Sequence, residues 1–221
     1  MVPDRDDDIV PEMSMNSASS IARFWSWFTT RADQFEQWQS ENSTHPLAGE
    51  MQPAVQRLGS GIGWEIGPGH SRPNFLAFTL NGDLGNVQLA QEIIKAAPKI
   101  PGWEFRVGRP ARPYSDRMVF YCSQGQTLEV ELQTWRYVLT AFDRGKFFDI
   151  AITSKQSLPI DQKLRDQILL TALQGAIGEF GVLQWIDRIQ FEEFPDEQWE
   201  ERATPFRHLA DHLANLTGAS W

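Results

Sequence analysis

Apolar residues first fall into register at Ile21. From there Ile21, Trp25, Phe28, Ala32 and Phe35 recur at helical spacing, and Phe24 and Trp38 widen the stripe. The spacing predicts a helix capped by Ser19 or Ser20, and one so aromatic must pack against other structure. Upstream, residues 1–18 carry Asp4, Asp6, Asp7, Asp8 and two prolines without an apolar period, and read as a disordered acidic tail. Residues 42–61, with Pro46, Pro53 and several glycines, predict little regular structure. The period then shortens. Gly63–Ile66 and Asn74–Leu80 read as strands, bounded by Gly67-Pro68-Gly69 and Asn81-Gly82. Leu84, Val87, Ala90, Ile93, Ile94 and Ala97 return to one helical face, stopped at Pro98.

After an extended run at 102–107, strands are predicted at 118–122, 127–133, 136–142 and 147–153, with Leu128, Val130 and Leu132 alternating against polar neighbours. A long helix follows over about 161–178, on Leu164, Ile168, Ala172, Leu173, Ala176 and Ile177, with Gly178 as C-cap. Trp185–Phe191 fits either a strand or a helical turn, and a last helix over about 204–216 buries Phe206, Leu209, Leu213 and Leu216. The pattern predicts an α+β fold: a mostly antiparallel sheet with helices packed on one face, plus an N-terminal helical arm, in one domain over 19–221. The pair Gly63-Trp64-Glu65-Ile66 and Gly102-Trp103-Glu104-Phe105 suggests a duplicated unit, but over too few residues to establish one.

Charge narrows the partners. With Lys+Arg 20 against Asp+Glu 29, the net charge is −9, which argues against nucleic acids and anionic membranes and permits a basic protein partner. No apolar run is long enough to span a bilayer, and the N-terminus lacks the basic start and apolar core of a signal peptide, so the expected compartment is the cytoplasm. The single cysteine, Cys122, excludes an internal disulfide and lies in a strand pattern that reads as core.

Three segments together carry a resemblance: Phe24-Trp-Ser-Trp-Phe28, Ala96-Ala-Pro-Lys-Ile-Pro-Gly-Trp103 and Gly175-Ala-Ile-Gly-Glu179. Over residues 20–193 the chain resembles a group of uncharacterised bacterial proteins of about this size. The resemblance implies a bacterial cytoplasmic α+β protein and carries over no activity, cofactor or catalytic residue.

Candidate chemistry is sparse. His208 and His212 stand at i and i+4, but Leu209 follows the first and no third ligand is evident, so no metal or cofactor is expected. No phosphate-binding glycine loop or nucleophile elbow occurs. The clearest anomaly is a basic island: residues 95–117 hold Lys95, Lys99, Arg106, Arg109, Arg112 and Arg117 against Glu104 and Asp116, a net of 6 − 2 = +4. Arg106, Arg109, Arg112, Tyr114 and Arg117 are therefore candidates for binding an anion or partner, since guanidinium forks match carboxylate and phosphate. The competing expectation pairs them with the chain's own acids, such as residues 187–201, where seven acids oppose Arg188. Trp25, Trp27 and Trp38 form either a docking stripe or core. These features favour a non-enzymatic, acidic protein-binding module, for example one that neutralises a basic toxin in the manner of an immunity protein. The alternative is a small-molecule anion-binding enzyme or sensor using the Arg106–Arg117 loop.

Overall fold

A computed structural model describes residues 15–41, 46–121, 127–156, 161–193 and 195–219. The fold is α+β, with three mostly antiparallel sheets. The N-terminal arm comprises α1 (Met15–Thr29), α2 (Ala32–Glu41) and α3 (Pro46–Gln56). Thus α1 begins inside the segment expected to be tail, and the predicted first helix divides at Thr30–Arg31, where Arg31 N–H donates to Phe28 O at 2.9 Å. The third helix was not anticipated. It starts on Pro46, whose fixed φ suits a first helical position, and continues past Pro53 because Leu47, Met51, Ala54 and Val55 are all buried.

The arm packs on its own sheet. Strands β1 (Glu65–Pro68), β2 (Asn74–Phe78) and β3 (Trp103–Val107) follow that order, β2 antiparallel to β1 and parallel to β3 across the crossover helix α4 (Val87–Lys95). Trp25 meets Phe78 and Phe105 edge-on, with centroids 5.9 and 4.6 Å apart, and donates its indole N–H to Ile93 O at 2.7 Å. Trp64, Ile66, Leu76, Phe78, Trp103 and Phe105 face this N-terminal core. By the two-residue alternation of strands, Glu65, Ala77 and Arg106 stand in a row on the opposite face.

The second half repeats that plan. After the hairpin β4 (Met118–Tyr121) and β5 (Thr127–Val130), strands β6 (Trp135–Phe142) and β7 (Phe147–Ser154) pair antiparallel. Helix α5 (Gln162–Trp185) crosses over to β8 (Ile186–Phe191), which lies parallel to β7. Helix α6 (Glu197–Arg202), the short β9 (Thr204–Pro205) beside β6, and α7 (Leu209–Thr217) complete the chain. A second core forms here from Trp135, Tyr137, Phe148, Ile150 and Ile152 against Ile168, Leu173, Ile177 and Leu213. Both halves are thus a hairpin, a crossover helix and a parallel return strand, but the four-residue match lies on β1 and β3 of the first half alone and does not mark this repeat. No helix among the described residues is long and apolar enough to cross a membrane.

Candidate functional site

The two halves meet where the loop after β3 crosses α5. Gly178, expected to end α5, instead interrupts it at φ 74°, ψ 162°, after which the helix resumes. A Cβ at Gly178 would lie 3.1 Å from Arg109 O and 3.3 Å from Ala111 N, so only glycine lets the loop lie on the helix there. The break exposes backbone groups to the loop: Arg112 N–H donates to Gly175 O at 2.7 Å and Glu179 N–H to Arg109 O at 2.9 Å. It also turns Glu179 inward, with 0% exposure. This carboxylate accepts N–H bonds from Leu80 and Arg109, both at 3.1 Å, with the Arg109 guanidinium 3.9 Å away. A buried charge requires such partners, and here they tie the ends of β2 and β3 to α5.

Beside this junction lies a cleft of about 610 Å³, within the range of small-molecule sites. Arg109, Arg112, Arg117 and Arg207 line it together with one acid, Glu65, a net of 4 − 1 = +3 in a chain of net charge −9. Tyr114, Ser115, Thr171 and Gln174 add hydrogen-bonding groups, and Met118, Leu132, Ala172 and Phe206 supply apolar wall. Glu65 joins two of the arginines: Arg109 Nε lies 3.0 Å from Oε2 and Arg112 Nη2 2.7 Å from Oε1. Arg109 is further held by Gln174 Oε1 at 3.4 Å. Arg117 pairs with Glu129 at 2.8 Å, where both side chains are exposed. Arg207 is exposed, its Nε donates to His208 Nε2 at 3.2 Å, and no carboxylate among the described residues pairs with it. Burial, reinforced by the charge and hydrogen bond of Asp116, pushes the Tyr114 phenol up, while Arg207 pulls it down.

Four of the five residues proposed from the basic island therefore converge on the cleft: Arg109, Arg112, Tyr114 and Arg117. Arg106 does not. It pairs with Glu104 at 2.9 Å on β3, away from the lining. The internal acids that meet these arginines are Glu65, Glu104, Glu129 and Glu179, not the 187–201 segment. The sequence did not single out Glu65, Gln174 or Arg207. Glu65 reads as an ordinary polar position between two core residues, and Arg207 is distant in sequence from the island. Of the tryptophans, Trp25 is 3% exposed and belongs to the core. Trp27 is half-buried between Phe24 and Phe35, with the Arg31 guanidinium 5.2 Å from its ring centroid. The Trp38 side chain and Cys122 lie outside the described residues.

The two histidines are taken up separately. His208 Nε2 accepts from Arg207, whereas His212 Nδ1 lies 2.9 Å from the phenol oxygen of buried Tyr137. Among the described residues no group of three or more His, Cys, Asp or Glu side chains is placed to hold a metal ion. Compared with known proteins, the chain matches no family model, no curated protein and no solved structure.

Proposed function

We propose that this protein binds a small organic anion, a molecule with a carboxylate or phosphate head and an apolar body, in the cleft between its two halves. One observation carries the reading: Arg109, Arg112, Arg117 and Arg207 line a single cleft beside an apolar wall, in a chain whose net charge is −9. Concentrating positive charge against that overall balance costs self-repulsion, which an anionic guest relieves. Arg207 and the largely exposed Arg112 supply the donors, and Met118, Leu132 and Phe206 receive the body. The test is thermal unfolding with phenyl phosphate, benzoate and uncharged benzamide. At about one hundred times Kd a ligand stabilises by about 2.7 kcal/mol, a rise in Tm of about 5–10 °C for a chain of this size. The two anions are expected to raise Tm, benzamide to leave it unchanged, and Arg207→Ala to lose most of the response. An anion response that survives Arg207→Ala and Arg112→Ala alike would place binding elsewhere.

A second reading, docking of a basic protein, rests on the acidic segment. Asp187, Glu193, Asp196, Glu197, Glu200 and Glu201 are exposed and are not consumed by the arginine loop. Such an encounter would weaken with added salt.

A further inference from the structure

We infer that Glu65 is an internal competitor for the cleft's ligand: it occupies the Arg112 fork when the cleft is empty and surrenders it to an incoming oxyanion, thereby setting the affinity. The inference rests on the anion-binding reading and concerns how that site is regulated. Its basis is an asymmetry between the two arginines that share Glu65. Arg109 is bound on several sides, by Glu65 at 3.0 Å, Gln174 at 3.4 Å and the buried Glu179 at 3.9 Å, and its side chain is 38% exposed. The Arg112 side chain is 68% exposed and its one ion pair among the described residues is with Glu65 Oε1, at 2.7 Å.

The main chain of Arg112 is nevertheless fixed, by its N–H bond to Gly175 O at 2.7 Å. Its guanidinium therefore swings from a stationary anchor at the cleft's edge. An oxyanion entering beside Arg117 and Arg207 meets one guanidinium that can turn toward it and another, Arg109, that stays with Glu65. Glu65 itself is held in place: it lies on β1 between Trp64 and Ile66, which pack into the N-terminal core. It cannot leave the cleft with its charge. An anion that engages Arg112 must take it from Glu65 and tolerate the carboxylate left nearby.

Glu65→Gln keeps the shape and removes the competing charge. The variant is expected to bind phenyl phosphate about tenfold more tightly than the wild type by isothermal titration calorimetry, the worth of one charge-assisted hydrogen bond no longer broken. Glu65→Asp, one methylene shorter and unable to hold both arginines at these distances, should fall between. Far-UV circular dichroism melts without ligand check that each variant folds. If the wild type binds and Glu65→Gln binds equally or more weakly, Glu65 positions the arginines and the competition is refuted. If neither protein binds either phenyl phosphate or benzoate, the anion-binding reading falls and the inference falls with it.

Discussion

Glu104 gathers donors from across its strand: the N–H groups of His70 and Ser71 at 2.9 Å each, the Ser71 hydroxyl, and Arg106 Nε at 2.9 Å. Burial alone would raise its pKa. The hydrogen bonds from His70, Ser71 and Arg106 outweigh that and hold it at about 2, against 4.5. Folding thus lowers the pKa, so the unfolded chain binds more protons at this group between those values. Its stabilisation is complete above about pH 4.5 and is lost as the pH falls toward 2. Urea unfolding at pH 7 and pH 3 should show Glu104→Gln less stable than wild type at pH 7, with the gap narrower, though not gone, at pH 3; an unchanged gap would exclude this role. The same contrast explains what was legible at the scale of single residues. Arginines at 109, 112 and 117 stand out because the rest of the chain is acidic, whereas the carboxylates that meet them are ordinary members of an acidic majority. Only the pleat, which carries Glu65 away from its apolar neighbours Trp64 and Ile66, gives it a role.

At the scale of elements, the break in α5 governs the site. The periodicity of residues 161–178 located the helix, and its end at Gly178 was the natural reading of a glycine after an apolar stripe. The helix resumes because Val182, packed in the C-terminal core, and Leu183, packed against the N-terminal one, hold the following turn between the two cores. Gly178→Ala would force a positive φ on a β-carbon with no room beside Arg109 O. It should cost about 2 kcal/mol in urea unfolding and weaken phenyl phosphate binding in parallel, because the loop bearing Arg109 and Arg112 rests there. Stability and binding both unchanged would show that the loop is positioned independently. Helices α3 and α6 were missed for a related reason. Their burial comes from single faces, Leu47, Met51 and Val55 in one and Trp199 in the other, and prolines or acids dilute the pattern.

Across the whole molecule, two cores built on the same hairpin–helix–strand plan enclose one cleft. The α+β class and most strands were legible because local alternation reports burial directly. The division into two cores was not, since period says which face is buried but not against what. Nor does sequence distance reveal that Arg207, after β9, lines the same cleft as Arg109 and Arg112. That convergence is what the proposed activity depends on. The most direct trial is calorimetric titration of the wild-type protein with phenyl phosphate and, in parallel, benzamide. One phenyl phosphate should bind per chain, more weakly as salt is raised, with benzamide giving no heat and Arg207→Ala abolishing most of the signal. Equal binding of benzamide, or an unaltered isotherm in Arg207→Ala, would contradict an arginine-lined anion site.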